Sequence, residues 1–323
     1  MTPWAVPDFA DVLAARSRIA PYLRPTALYQ YPALDELTGA RMQVKHENHQ
    51  PVGAFKVRGG VNLVSQLNPD ERRRGVSTAS TGNHGQSIAY AARLFGVHAT
   101  VFMPEQANPV KVGSMRALGA QIVFHGNDFD DARERCEQVS AEDGKRYVHS
   151  GNEPDLIAGV ATYALEILEE RPDTDVIVVP IGGGSGAAGT SIVAKSVRSA
   201  IEVIGVQSLA APAAFKSWRA GRLVEDTTGT MAEGLATRTA FELPQQVLRD
   251  LLDDFVLVSE EALAQATRLM IEKTRNLVEP AGAAALAAVL ADPDRFKGRN
   301  VVIICSGGNI SPAQLTALWQ ASS

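Results

Sequence analysis

The sequence has only two cysteines, Cys136 and Cys305, among its 323 residues. They stand far apart, with no CxxC pair and no histidine at ligand spacing, so we expect neither a disulfide framework nor a structural zinc site. The chain also lacks an apolar run long enough to cross a bilayer and a basic-then-apolar signal pattern at its start. These absences predict a soluble protein of the reducing cytoplasm.

No strong excess of positive charge is present either. The formal net charge is -5, and no dense run of lysine and arginine occurs. This balance argues against nucleic acid or an anionic membrane surface as a partner. The chain has no solenoid-type repeat and no low-complexity segment, and its length allows a large core divided between two lobes.

Short β-rich runs alternate with longer helical patterns along the chain. Several runs are continuous apolar segments, as in strands that are buried on both faces. The alternation predicts βαβ units and a mainly parallel sheet, with ligands at the carboxyl ends of the strands. Pro- and Gly-rich stretches predict a small domain, 75–150, inserted in a large domain of 1–74 and 151–323. The predicted strands are 41–47, 75–80, 98–103, 120–126, 175–180, 201–207, 254–259 and 299–306.

Three helices have recognisable ends. Asp8 and Ser259 are good N-cap residues, and each precedes a helical pattern. In 83–96 the apolar residues recur at three- and four-residue steps, and Gly96 is a plausible end. Because this last helix directly follows a predicted strand, its start is expected at the ligand edge of a sheet.

The stretch PIGGGSGAAGT, 180–190, follows an apolar strand and precedes a helical pattern. Glycines in such a turn let backbone N–H groups point at an anion, while the helix adds its positive end. A glycine-rich turn can also serve only to pack strand against helix, but four glycines and a serine within 182–186 favour a phosphate ligand. The loop has neither the GK[ST] ending of a Walker loop nor the spacing of a dinucleotide fingerprint.

Three further turns carry polar side chains. STASTGNHGQS, 77–87, offers several hydrogen-bond donors at a helix start, which suits a carboxylate, although plain N-capping needs only one of them. Ser306 follows a buried-looking strand and is expected to point into the cleft, with a turn-forming serine as the alternative. Glu279 stands before a Pro-initiated helix, where a simple helix-start acid is the alternative.

Lys56 lies between Phe55 and the small residues Gly59 and Gly60 in PVGAFKVRGG. A phosphate cradle, a carboxylate nest, a neutral hydroxyl and a lysine beside an aromatic ring are what a pyridoxal phosphate enzyme acting on an amino acid requires. In such an enzyme the lysine amine forms a Schiff base with the cofactor aldehyde.

With these motifs in order, the chain resembles the fold-type II pyridoxal phosphate enzymes, in the threonine/serine dehydratase–serine racemase family, from about residue 10 onward. AFKVRGG, STGNHGQ, GGGSG, EPAGA and SGGN carry the resemblance. It implies a tryptophan synthase β-like α/β fold with two open, twisted, mainly parallel sheets flanked by helices. It also implies pyridoxal 5'-phosphate as the cofactor, an amino-acid substrate and a homodimer.

The resemblance also assigns roles to individual residues. Lys56 would form the Schiff base and take the Cα proton. Ser306 would face the pyridine nitrogen as a neutral hydroxyl, which makes the cofactor a weaker electron sink and favours loss of a β-substituent. The other catalytic candidates are Ser80 and Thr81. The remaining cofactor-binding candidates are Phe55, Asn83, Gly182, Gly183, Gly184, Ser185, Gly186 and Glu279, and the substrate-binding candidates are Ser80, Thr81, Gly82 and His84.

These roles imply a lyase that removes water and ammonia from a β-hydroxy amino acid to give a 2-oxo acid. A β-replacement enzyme of the cysteine synthase kind is the nearest alternative. A racemase is disfavoured because Thr81 stands where racemases of this family have serine. A nicotinamide-dependent oxidoreductase would leave Lys56 unexplained, and a non-catalytic binding protein would need Lys56 to be dispensable.

Several positions depart from the family pattern. Gln207 and Ala213 replace acidic ligands of a divalent cation, which predicts that this metal site is lost. A second group of departures predicts a substrate other than plain threonine, such as a phenylserine. Because the sequence stops soon after SGGN, no C-terminal regulatory domain is expected. The departures in the second group are His46, His49, Ala54 and Glu233.

Overall fold

The computed structural model describes residues 5–320, which form two β-sheets with helices packed on both faces. All eight predicted strands are present, and two very short ones were not predicted. The strands are β1 (Leu28–Gln30), β2 (Arg41–His46), β3 (Val76–Ala79), β4 (Ala99–Met103), β5 (Gln121–Phe124), β6 (Arg146–Tyr147), β7 (Val176–Pro180), β8 (Glu202–Ser208), β9 (Asp254–Val258) and β10 (Asn300–Cys305).

The three predicted helix ends are confirmed. Asp8 accepts from the Asp11 N–H in a capping box, Ser259 accepts from the Ala262 N–H, and Gly96 ends its helix in the left-handed conformation. The helices are α1 (Phe9–Ile19), α2 (Pro32–Thr38), α3 (Val57–Ser65), α4 (Pro69–Arg74), α5 (Asn83–Phe95), α6 (Pro109–Ala117), α7 (Phe129–Asp143), α8 (Pro154–Glu170), α9 (Ser185–Val197), α10 (Ala213–Ala220), α11 (Glu242–Leu251), α12 (Glu260–Thr274), α13 (Pro280–Ala291), α14 (Pro293–Phe296) and α15 (Pro312–Gln320).

The larger sheet has the strand order β1-β2-β10-β7-β8-β9, and the smaller sheet has the order β5-β4-β3-β6. Every pairing is parallel except that of β1 with β2. The prediction of two mainly parallel sheets is therefore confirmed. All strands of the smaller sheet lie between 76 and 147, while the domain boundaries at 75 and 150 stay a prediction.

The larger sheet is buried on both faces, as its apolar strands predict. In β7 the side chains of Ile177 and Val179 join the core beneath α8, α9 and α11, whereas Val176 and Val178 join the core beneath α12 and α13. This alternation follows from the two-residue period of a strand. Because helices cover both faces of the larger sheet, a ligand is expected at the carboxyl ends of its strands. No helix within residues 5–320 is both long and apolar enough to span a membrane.

Candidate active site

The segment that carries Lys56 is attached to the carboxyl end of β10. Ala54 pairs antiparallel with Gly307, and the Phe55 N–H donates to the Ser306 carbonyl oxygen at 3.1 Å. Lys56 then lies at the start of α3, as its N-cap. These backbone contacts place Lys56 and Ser306 side by side, although 250 positions separate them in the sequence.

The Lys56 amine points at the glycine-rich loop. Its Nζ donates to the Ser185 hydroxyl at 2.8 Å and to the Ser150 carbonyl oxygen at 3.3 Å, and it lies 5.3 Å from the centre of the Phe55 ring. Burial lowers the pKa of this amine to about 8. About a tenth of Lys56 is therefore an uncharged, nucleophilic amine at pH 7, far more than for an ordinary lysine.

The glycine-rich loop has two reasons to lack side chains. A Cβ on Gly182 would lie 2.1 Å from the Gly234 carbonyl oxygen, and one on Gly183 would lie 2.4 Å from the Phe241 ring, so both glycines are required for packing. Gly184 has a φ of +90° and leads into α9 at Ser185. The first N–H groups of α9 have no partner within the helix, which leaves donors for an anion beside Lys56.

A tight turn precedes α5. The Ser80 hydroxyl accepts from the N–H groups of Gly82 at 3.1 Å and Gly85 at 2.8 Å, which is the capping arrangement that the sequence left open. Thr81 is half-buried at the tip of the turn, and α5 begins at Asn83. The structure thus brings Ser80, Thr81 and Gly82 to the positive end of α5, while their contact with a substrate stays a prediction.

His84 is buried and neutral. Its Nε2 lies 2.8 Å from the Thr78 hydroxyl, which itself donates to the Val148 carbonyl, so Nε2 carries the proton of this pair. Burial, assisted by the positive charge of Lys56, lowers the pKa of His84 to about 3. The Nδ1 atom is buried and has no hydrogen-bond partner among residues 5–320. A bound group with a donor would satisfy it.

Asn83 is fixed from two sides. Its Nδ2 donates to Glu279 Oε1 at 2.7 Å, and its Oδ1 accepts from Asn309 Nδ2 at 2.8 Å. Burial raises the pKa of Glu279, an effect that the charge of Lys111 opposes. The Ser306 hydroxyl, at the end of β10, makes only a long contact of 3.4 Å to the Ala281 carbonyl oxygen. Asn83 is therefore held rigidly, and Ser306 retains hydrogen-bonding capacity.

Behind Lys56 lies a buried group of four charges. The Arg58 guanidinium donates to both carboxylates of Glu47 and Glu166, at 2.6–2.8 Å, and Lys45 Nζ donates to Glu166 at 2.5 Å. Burial alone would raise the pKa of Glu166, but Arg58 and Lys45 outweigh it and lower that pKa. Two cations balance two carboxylates, so the group is neutral and fastens α3 to α8 and β2.

Sequence reasoning did not single out Lys111 as a site residue. Its ammonium forms an ion pair with Glu233, and it lies 3.4 Å from the point where a side chain on Gly82 would begin. Glu233 also accepts from Gln314 at 2.9 Å. One signal was available in the sequence, because Lys111 is a lone lysine among the apolar and small residues of NPVKVGSM.

The predicted loss of a metal site concerns positions at the end of β8 and the start of α10. Gln207 is buried, and its Oε1 accepts from the Phe215 N–H at 3.0 Å, while Ala213 is the first residue of α10. Within residues 5–320, no group of three or more His, Cys, Asp or Glu side chains could hold a metal ion. The loss of the site stays a prediction.

The residues gathered at this edge fit pyridoxal 5'-phosphate. A buried amine with a lowered pKa faces a helix start with free N–H donors. His84 is close enough for the Lys56 charge to lower its pKa, and the backbone of Ser306, a residue with a neutral hydroxyl, is bonded to the segment that carries Lys56. The sequence profile of the family described as "Pyridoxal-phosphate dependent enzyme" matches residues 19–307. The chain belongs to this family.

Comparison with individual relatives shows which part of the family this pyridoxal-phosphate dependent enzyme resembles. It is 40% identical over 302 residues to an L-threonine ammonia-lyase of Thermotoga maritima, covering 93% of this chain and 75% of the relative. It is 35% identical over 314 residues to an L-threo-3-hydroxyaspartate ammonia-lyase of Saccharomyces cerevisiae, covering 97% and 96%. The enzyme is therefore threonine ammonia-lyase-like, within the threonine dehydratase and serine racemase group.

Solved structures agree with this placement. A threonine deaminase from T.th. superimposes with a TM-score of 0.89 at 36% identity, covering 94% of this chain and 99% of that structure. Maize serine racemase superimposes with a TM-score of 0.92 at 32% identity, covering 98% and 97%. The predicted tryptophan synthase β-like fold and the predicted cofactor of this pyridoxal-phosphate dependent enzyme are confirmed.

Proposed function

We propose that this enzyme is an ammonia-lyase that converts a β-hydroxy-α-amino acid to a 2-oxo acid and ammonia. The observation that carries the proposal is the placement of the Lys56 amine, 2.8 Å from Ser185 at the glycine-rich loop, on a segment whose backbone is hydrogen-bonded to Ser306. The ammonia-lyases among its relatives support the same reaction class.

Lys56 would hold the cofactor and, once the substrate amine has displaced it, take the Cα proton. Its lowered pKa suits both tasks, since an uncharged amine is needed each time. When bound, pyridoxal 5'-phosphate supplies an electron sink for the bonds to Cα. The phosphate would be held by the start of α9 and the loop before it, that is by Gly182, Gly183, Gly184, Ser185 and Gly186.

The remaining site residues would orient the cofactor ring and the substrate. Asn83, fixed by Glu279, would bond the ring hydroxyl, and Phe55 would lie beside the ring. Ser306 would face the ring nitrogen as a hydroxyl, which does not stabilise a protonated ring and so favours expulsion of the β-hydroxyl over transamination. The turn before α5, made by Ser80, Thr81, Gly82 and His84, would bracket the substrate carboxylate.

A phenylserine is the second candidate substrate, and one observation favours it. His149 and Phe241 pack edge to face, with ring centres 4.9 Å apart. Burial lowers the pKa of His149, and the charges of Arg133 and, to a smaller extent, Lys56 lower it further, so His149 lies near Lys56. Phe241 also covers Gly151 and Gly183. An aromatic β-substituent could pack on this pair.

The test is the release of 2-oxo acid from purified enzyme with L-threonine, L-serine, L-threo-3-hydroxyaspartate and L-threo-phenylserine under identical conditions. We expect product from at least one of them, and the ranking identifies the preferred β-substituent. If none gives product while the cofactor spectrum still shifts on addition of amino acid, the ammonia-lyase is refuted in favour of β-replacement or racemisation. The homodimer, the cytoplasmic location and the inserted domain at 75–150 remain part of the proposal.

The lowered pKa of Lys56 predicts how cofactor capture depends on pH. Below about pH 8 the amine is protonated and cannot attack an aldehyde, whereas above it the amine is free. The rate at which apoenzyme regains cofactor absorbance is therefore expected to rise with pH to a midpoint near 8. A model lysine side chain reacting with the same aldehyde is the control, with its midpoint at about 10.4. An enzyme midpoint equal to that of the control would contradict the prediction.

A further inference from the structure

Lys111 is an almost completely buried ammonium at the edge of the active site. Its side chain is 8% exposed, whereas that of its partner Glu233 is 40% exposed. Burying a charge away from water costs free energy. An ion pair that served only to join two surfaces could form at the protein surface, without a buried cation. The asymmetry indicates that the protein keeps the positive charge within the cleft and the carboxylate at its rim.

The ammonium lies over the turn before α5. A Cβ on Gly82 would be 3.4 Å from Lys111 Nζ, with the lysine chain itself only slightly farther away. Its charge also reaches Glu279, on the far side of Asn83, where it opposes the rise in the pKa of that carboxyl. Lys111 and the positive end of α5 therefore converge on the space over Gly82.

The turn before α5 offers only neutral donors, N–H groups and hydroxyls, and two of those N–H groups, on Gly82 and Gly85, already donate to the Ser80 hydroxyl oxygen. A full positive charge beside such donors makes a much stronger carboxylate site, because charge-assisted hydrogen bonds are about twice as strong as neutral ones. Glu233, which Gln314 holds at 2.9 Å, supplies the counter-charge when no substrate is bound.

We propose that Lys111 binds the α-carboxylate of the amino-acid substrate over the turn before α5, with Glu233 as its counter-ion in the free enzyme. This assignment rests on the proposed function, since it requires an amino acid in the site. It adds a specificity-determining residue from α6, on the smaller sheet, to a site whose other groups belong to α3, α5, α9 and β10.

The experiment compares two ligands that differ only in the carboxylate. L-Alanine and ethylamine can both react with the bound cofactor, and neither has a β-hydroxyl to expel. Their affinities are measured by the shift of the cofactor absorbance in the wild-type holoenzyme and in Lys111→Met. We expect Lys111→Met to weaken L-alanine binding roughly tenfold to a hundredfold and to leave ethylamine binding unchanged. Lys111→Arg, which keeps the charge, is expected to retain most of the affinity for L-alanine.

Two outcomes overturn the assignment: unchanged L-alanine binding in Lys111→Met, or an equal loss for L-alanine and ethylamine. Lys111→Gln carries the same expectations and replaces Lys111→Met if that variant does not retain the cofactor. Lys145→Met is the matched control, because Lys145 also belongs to the smaller-sheet region but pairs with Asp143. The test is separate from the lyase assay: L-alanine binding that depends on Lys111 upholds this inference even if no hydroxy amino acid gives a 2-oxo acid.

Discussion

Replacing Lys56 with alanine is expected to abolish the attachment of the cofactor and to lower turnover by about a hundredfold to ten-thousandfold. The amine that the structure places 2.8 Å from Ser185 is the group proposed both to hold the cofactor and to take the Cα proton, and alanine can do neither. The measurements are the absorbance of the bound cofactor after gel filtration and the rate of 2-oxo acid release.

The control for this change is Lys273→Ala. Lys273 is an exposed lysine near the end of α12, so its loss removes the same charge without touching the site. It is expected to retain full absorbance and turnover. If Lys56→Ala kept both properties as well, the proposed function and the proposed role of the glycine-rich loop would have to be abandoned together.

Replacing Arg58 with methionine is expected to lower the free energy of unfolding by about 3–5 kcal/mol. Arg58 is buried and donates to both Glu47 and Glu166, so the variant leaves two carboxylates with only Lys45 to balance them. Removal of one member of a buried ion group costs more than the group contributes, because it leaves an uncompensated charge. Denaturant unfolding measures this loss. The midpoint gives the change in stability, provided that the slope of unfolding free energy against denaturant concentration is the same in both variants.

Arg16→Met provides the matched comparison for Arg58. Arg16 pairs with Glu169 on the surface, where both side chains are largely exposed, and such pairs contribute less than about 1 kcal/mol. The contrast between the two arginines separates the effect of burial from the effect of losing a guanidinium. A loss in Arg58→Met no larger than that in Arg16→Met would show that the buried charge group is not needed for stability.

The positions of the longer strands and the ligand edge could be predicted from the sequence because both depend on local patterns. Short β-rich runs, followed by turns that contain glycine or serine, predicted β3, β7 and β10 and the turns after them. Strands β1 and β6 have only three and two residues, too few for a two-residue period to be recognised. The short strands form because a neighbouring strand offers them hydrogen bonds.

The contacts that sequence reasoning missed are those between distant segments. Lys111 and Glu233 are 122 positions apart, and nothing local to either residue indicates that α6 and the turn at Glu233–Leu235 meet. Ser80 illustrates a different limit. Its place in a donor-rich turn was visible, but only the structure shows that its hydroxyl oxygen accepts from the N–H groups of Gly82 and Gly85.

The hydrogen bond from the Phe55 N–H to the Ser306 carbonyl has a consequence for how such enzymes diversify. Both atoms belong to the backbone, so the side chain at position 306 takes no part in holding the Lys56 segment in place. A different side chain at position 306 would therefore leave the Lys56 segment in place, while it would change the group that, in the proposed function, faces the cofactor ring. In the proposed function, the backbone of Ser306 would thus support the attachment of the cofactor, and its side chain would influence the type of reaction.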